Sequence, residues 1–459
     1  MGGVYRIGRV LRPRDGIALN LQNLFKWLYV GLGVKRWLLL MLLSVAIMGL
    51  GFAYLLRELY VSYTFPGWVY WATLQFFPRW GRGVLFVALA SGLTVVAFWR
   101  LNRSLVSALL PVGQRQDALV DIVYSARAAQ RGPKVVAIGG GTGLSNLLRG
   151  LKEHTSNLTA VVTVADDGGS SGRLRRELDV IPPGDVRNCI AALSDAEPLV
   201  TRLFQHRFDD DAGPTIGGHS FGNLFIVAMA GVTGSMEEAI RETSRVLAVR
   251  GAILPSTLAD VTLVADLADG TTVRGESTIP QGGSAVERLM IEPEHVRANP
   301  EVVRSLVEAD LIVIGPGSLY TSVLPNLLVR EIGDALLISR AHKIFIPNVA
   351  TQRGETDGFD ATDHYRAIQE HMRGQNFADV VLANSNLPHE ALPDEMQSNP
   401  VTAPGDSDYG DARLMLADVV DPENRYRHDS TRIAAAVMRA YHERDLREQL
   451  AERLASESS

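Results

Sequence analysis

Lys134-Val-Val-Ala-Ile138 followed by Gly139-Gly-Gly-Thr-Gly143 is the stretch whose reading decides the fold. A short, mostly apolar and β-prone run enters a loop of glycine and threonine. Leu144, Leu147, Leu148 and Leu151 then recur at helical spacing. Strand, glycine loop and helix together form the opening unit of a doubly wound α/β fold. A loop without side chains lets backbone approach an anion and turns its N–H groups toward it, with the helix N-terminus behind. The spacing is neither G-x-G-x-x-G nor a Walker A sequence, because no Gly-Lys-Ser/Thr follows. A glycine turn of this kind also serves purely structural ends, so the loop alone does not establish a ligand.

Toward the C-terminus the same alternation continues. Thr159 to Ala165 reads as a second strand entering Asp166-Asp-Gly-Gly-Ser-Ser-Gly172, with a helix over 173–178. A helix over 301–309 leads to a strand at Leu311 to Ile314 and a second small-residue loop, Gly315-Pro-Gly-Ser318. Lys343 to Ile346 and Val380 to Ala383 add strands that end in polar loops. Helices alternating with short apolar strands imply a largely parallel sheet buried on both faces. Val261 to Leu267 and Thr271 to Glu276, joined by the turn-forming Asp269-Gly270, predict a small β-hairpin insertion. Ser235-Met-Glu-Glu238 is a capping box, and a charged helix is expected from about Thr431 to Leu454.

Ligands of open parallel sheets bind at the carboxyl ends of the strands, where these polar loops fall. Gly139, Gly140, Gly141, Thr142 and Gly143 are candidates for phosphate contact. Asp166 and Asp167 lie 23 and 24 residues past Gly143, where a dinucleotide fold places its ribose-binding acid. The same pair suits Mg²⁺, which prefers one or two carboxylates plus phosphate oxygens, or merely a turn and helix cap. Arg187, in Pro182-Pro-Gly-Asp-Val-Arg-Asn188, offers a planar fork for phosphate or carboxylate, or pairs with Asp185 at the surface. Asn223, after Gly217-Gly-His-Ser220, suits base or sugar contact, and Gly317 and Ser318 form a second anion nest. Asp166, Asp167 and Arg187 are the catalytic candidates, if anything is catalysed. Hydride transfer is disfavoured, and no Ser-His-Asp order or His/Cys metal cluster is evident.

Upstream the composition changes. Trp37 to Leu56 is 20 residues without a charge, about 30 Å as a helix and enough to cross a bilayer. Val84 to Trp99 is a shorter uncharged run of 16, with Arg82 and Arg100 placed to snorkel. Trp68, Tyr70, Trp71, Phe76, Phe77 and Trp80 lie between them, as an interfacial belt requires. Lys and Arg outnumber those of the connecting loop on the flanks, seven of them before Trp37, so both termini are expected in the cytoplasm. The expected organisation is a basic segment 1–36, a two-helix transmembrane hairpin 37–99, a linker helix within 100–132, the α/β domain 133–440 and a charged tail 441–459. Net charge is −6, which gives no reason to expect nucleic acid, and the single cysteine, Cys189, excludes a disulfide framework.

Several motifs together resemble a known family. They are GGGTGLS from Gly139, TVADDGGSSGRLRREL from Thr163 to Leu178, IPPGDVRNC from Ile181 to Cys189 and GGHSFGNL from Gly217 to Leu224. GPGSLYTS from Gly315 and TQRGET from Thr351 to Thr356 follow in order. The stretch resembles the gluconeogenesis-factor (YvcK-like) branch of the CofD-like superfamily, related to 2-phospho-L-lactate transferase. The resemblance implies a Rossmann-like fold that binds a UDP-sugar such as UDP-N-acetylglucosamine. It also implies a regulatory role in cell shape and wall synthesis on gluconeogenic carbon sources. The alternative it leaves open is a Mg²⁺-dependent transferase of phosphoryl-linked groups. Wall-synthesis proteins and a second copy of the chain are the macromolecular partners it leaves open. The N-terminal hairpin departs from the family's shorter soluble members, so a plasma-membrane location is expected here.

Overall fold

The computed structural model describes residues 34–109, 129, 131–195, 198–213, 215–387, 398–405 and 408–457. It divides into two units, Met1–Tyr124 and Ser125–Ser459. The basic segment before Val34 and most of the expected linker helix lie outside the described residues.

In the first unit, helices span Val34–Ser62, Gly67–Ala72 and Arg79–Leu109. Leu39–Leu59 has a mean hydropathy of 2.4, and every described side chain in it is exposed. Among the described residues it is the one helix long and apolar enough to cross a membrane. The expected pair of transmembrane helices is therefore corrected to one such helix. Arg79–Leu109 is a continuous helix of 31 residues, but Arg82, Arg100 and Arg103 confine its uncharged run to less than a bilayer's thickness. Between the two long helices, Trp71 packs on Tyr70 and Phe76, with ring centroids 5.9 and 5.5 Å away.

The second unit is built on a seven-stranded, wholly parallel sheet. In chain order its strands are β1 (Val135–Gly139), β2 (Leu158–Val162), β3 (Ala252–Pro255), β7 (Leu311–Ile314), β8 (His342–Phe345), β9 (Val380–Asn384) and β10 (Arg413–Ala417). The spatial order is β10-β9-β8-β7-β1-β2-β3. The chain winds outward from β1 to β3, returns to the centre at β7 and winds the other way. The reversal falls between β1 and β7, whose residues 135–138 and 311–314 pair in register. Every residue of β1, β7 and β9 is buried, as a sheet covered by helices on both faces demands. The doubly wound fold is as expected, with β3 and β10 added at its edges.

Between β3 and the helix Pro300–Glu308 lies the insertion. The expected hairpin is present as β4 (Thr262–Leu267) and β5 (Thr272–Arg274). It is corrected to a three-stranded antiparallel sheet, because β6 (Val286–Glu292) pairs along the other edge of β4 with a bulge at Asp266/Leu267. The second core strand stops at Val162, short of the expected Ala165. A single helix, Ser430–Glu457, runs through the expected boundary at 440, and its Ile433, Ala434 and Val437 are fully buried.

Candidate functional site

The two glycine loops meet at the reversal point. Gly139 ends β1, and Gly140 continues in extended conformation as the N-cap of helix Gly141–Leu151. A Cβ on Gly140 would stand 2.5 Å from Asp185 Oδ2 and 2.8 Å from Thr163 Cγ2. Gly141 has φ +61°, a left-handed conformation that favours glycine. A Cβ on Gly143 would meet the Pro316 carbonyl oxygen at 2.5 Å and Gly317 Cα at 3.0 Å. The loops after β1 and β7 are thus in backbone contact, which only residues without side chains permit. Thr142 is exposed at their mouth.

Asn326, fully buried behind them, donates from Nδ2 to the Gly139 carbonyl (3.1 Å) and the Ser322 carbonyl (2.8 Å). On the β7 side, the Gly317 N–H donates to Asn348 Oδ1 at 3.2 Å. Asn348 donates to Gln352 Oε1, and Gln352 Nε2 donates to Ser318 Oγ at 2.7 Å. The second nest is therefore held by the loop that follows β8.

Acidic groups crowd the same rim. Asp166 accepts the Gly168 N–H at 2.9 Å, and burial raises its carboxyl above the usual range. Asp185 accepts the Gly141 N–H, yet burial, with the charge of Asp166, pushes it up to about 6. Asp167 accepts the Ser277 N–H of the insertion at 2.9 Å, which ties β5 to the loop after β2. Beside that contact stands Glu276. Burial, then the charges of Asp166, Asp185, Asp167 and Glu355, push it up to about 8. Glu355 is 6% exposed, accepts Thr321 Oγ1 at 3.2 Å, and is pushed by burial up to about 7. A carboxyl near its pKa both donates and accepts, a pairing suited to hydroxyl-rich ligands.

Arg187 is a cation facing this group, and Arg175 also acts on Asp166. Burial and the charge of Arg207 lower the Arg187 pKa, while Asp185 and Asp166 raise it. Its terminal nitrogen donates to Asn188 Oδ1 at 2.8 Å, and its Nε is buried without a partner. Asn223 lies deeper than expected. It is 2% exposed and donates from Nδ2 to Ser170 Oγ at 3.0 Å, while Ser170 Oγ also lies 2.9 Å from His219 Nδ1. Its Oδ1 is unpartnered.

Reading the sequence finds Gly139 to Gly143, Asp166, Asp167, Arg187, Gly317 and Ser318 on one rim, and the structure brings them together there. It misses Glu276 and Asn326 and leaves Glu355 without a role. Glu276 follows a surface hairpin, and nothing local in its sequence sets it apart. Glu355 sits in the quoted TQRGET motif, which was the available signal. Among the described residues, no group of three or more His, Cys, Asp or Glu has the arrangement of a metal site.

Fold and site together define the class: a doubly wound α/β protein whose glycine loops and carboxyl groups line a crevice at the sheet's reversal point. Comparison with known proteins narrows this. The family model described as 2-phospho-L-lactate transferase CofD matches residues 135–421. The gluconeogenesis factor of Bacillus subtilis is 48% identical over 315 residues, 67% of this chain and 97% of that one. A Nostoc sp. relative carrying the gluconeogenesis-factor name is 44% identical over 441 residues, 94% of this chain and 95% of its own. An X-ray crystal structure of a Bacillus halodurans protein, 44% identical, superposes with a TM-score of 0.63 and covers 67% of this chain and 99% of that one. The chain belongs to the gluconeogenesis-factor branch of the CofD-like superfamily.

Proposed function

We propose that this chain is a UDP-sugar-binding regulatory protein of the UDP-N-acetylglucosamine type. In this reading it is tethered to the plasma membrane by Leu39–Leu59 and acts on cell shape and wall synthesis during growth on gluconeogenic carbon sources. The observation that carries the reading is the crevice itself. Backbone-lined glycine loops favour a diphosphate, and the carboxyl groups of Asp166, Asp185, Glu276 and Glu355 suit the hydroxyls of ribose and sugar. Arg187 supplies the positive charge that a diphosphate needs among these acids.

Titration calorimetry of the full chain in detergent with UDP-N-acetylglucosamine, UDP-glucose and a deazaflavin tests it. Heat is expected with a UDP-sugar, and Arg187→Gln should weaken binding about tenfold or more. Absence of heat with every UDP-sugar overturns the reading.

One observation favours a second reading. Several carboxylates converge where a diphosphate is to sit, a charge pattern that Mg²⁺ would relieve, as in a transferase of phosphoryl-linked groups. Turnover of a lactyl-diphospho donor that requires Mg²⁺ and is abolished in Asp166→Ala would replace the regulatory reading.

A further inference from the structure

The opposite end of the sheet holds a cavity that the crevice does not explain. It has a volume of about 410 Å³, within the usual range of small-molecule sites. Its walls come from the amino ends of β8, β9 and β10 and from helix Ser430–Glu457. Arg340, His342, Lys343, Arg413 and Arg444 line it, with Asp379 as the acid among its lining residues. Ligands of the α/β class normally sit at the other, carboxyl end. A basic cavity here therefore requires its own reason.

The charge is partly arranged and partly unspent. Asp379 accepts the Lys343 N–H at 2.7 Å and stands 3.3 Å from His342 Nδ1, so its carboxylate serves the wall and fixes the imidazole ring. Arg413 pairs with Glu443 at 3.1 Å, which offsets one cation. Lys343 Nζ donates to the Ser339 carbonyl at 2.7 Å, and its charge is offset in part by Asp379, whose pKa it helps to lower. Arg340 is exposed. His342 is 7% exposed, and its Nε2 is buried with no partner. A buried ring nitrogen without a hydrogen bond calls for an explanation, and so does a cluster of cations around one concavity. An anion in the cavity accounts for the cations.

We propose that this cavity binds a small phosphate-bearing anion. Arg340, Lys343, Arg413 and Arg444 supply the charge, and the guanidinium groups supply the forked donors that phosphate oxygens accept. Such a ligand touches the first residue of β8, and the loop leaving the other end of that strand carries Asn348, Gln352 and Glu355 to the crevice. An anion here is therefore placed to act on the crevice as an effector; any such coupling is reciprocal, and with the crevice empty the anion binds on its own.

Titration calorimetry of the full chain in detergent with inorganic pyrophosphate tests the proposal. Binding is expected, and it should weaken at least about tenfold in the Arg340→Glu, Arg444→Glu double variant. In the Arg187→Gln background, where a diphosphate is held weakly at the crevice, the loss caused by the double variant should be the same. An unaltered melting temperature establishes that the double variant is folded; if it is not, Arg340→Gln alone serves, with a smaller loss in the same direction. A soluble short-chain phosphatidic acid, titrated alongside, separates the sources. Tighter binding of pyrophosphate supports a free phosphate, and tighter binding of the lipid supports a headgroup. Absence of binding by both, or a loss that follows Arg187→Gln instead of the double variant, overturns the proposal.

Discussion

Replacing Glu355 by glutamine isolates the cost of the charge buried at the rim. Glu355 is 6% exposed and receives Thr321 Oγ1 and the Tyr320 and Thr321 N–H groups. Burial outweighs these donors, so its carboxyl rises from 4.5 to about 7. The folded state thus prefers the neutral form. Its contribution to stability is complete below 4.5 and is lost as pH rises through about 7. A shift of that size corresponds to about 3 kcal/mol once the group is fully ionised. Glu355→Gln never ionises and keeps an oxygen for the same donors. Relative to the parent, the variant should therefore gain about 2–3 kcal/mol between pH 5 and pH 8.5. Chemical denaturation of both full chains in detergent, followed by far-UV circular dichroism at the two pH values, reads the difference. Far-UV signal is preferred because all six tryptophans lie before Arg100 and report the other unit. Glu276 titrates in both proteins, and loss of the Glu355 charge eases its ionisation in the variant, which acts in the same direction as the expected gain. A stability offset that stays constant between the two pH values refutes the assignment of a buried, uncompensated charge to Glu355.

Other perturbations read the rim's architecture. Gly143→Ala should destabilise the α/β domain by about 1–3 kcal/mol in the same denaturation assay, because its Cβ overlaps the Pro316 carbonyl. Gly139→Ala, whose nearest neighbours stand at 3.6 Å, should lose less than half as much. Asp167→Ala removes the acceptor of the Ser277 N–H. Hydrogen exchange across residues 272–281 should accelerate on the order of tenfold, and unchanged protection would show that the insertion is held elsewhere. Asn326→Leu strips the Gly139 and Ser322 carbonyls of a buried donor and should cost about 2–4 kcal/mol by denaturation. Arginine at Val45 and Leu50 adds about 2.5–3.5 kcal/mol each at a helix centre, so the double variant should be extracted from membranes by carbonate while the parent is retained.

Much of the crevice was legible because its chemistry is local. Gly139 to Gly143, Asp166 and Gly317 each sit directly after a strand, and the strand-loop-helix pattern alone places them at one end of a parallel sheet. Glu276 was not legible. It sits on an insertion between β3 and helix Pro300–Glu308, and it reaches the rim because Asp167 captures the neighbouring Ser277 N–H. β6 escaped because its burial does not alternate cleanly, with Glu287 and Arg288 both exposed beside a bulge. β3 and β10 escaped because edge strands are covered unevenly and lack the fully buried run of β1, β7 and β9; β10 leaves Leu416 exposed.

By itself, the sequence of this chain determines the doubly wound fold, the glycine loops and an apolar helix long enough for a bilayer. Each follows from the spacing of apolar residues or the absence of side chains within a short window. Tertiary structure alone decides the rest. The order of the strands brings the loops after β1 and β7 into backbone contact. It buries Asn223, read from the sequence as a base or sugar contact, and it gathers Asp166, Asp185, Asp167 and Glu355 closely enough around Glu276 that their charges add to burial in raising its pKa. The physical reason is range. Propensity and periodicity act over a few residues, whereas desolvation and charge act across space between rim groups such as Asp166 and Glu276, 110 positions apart in the chain.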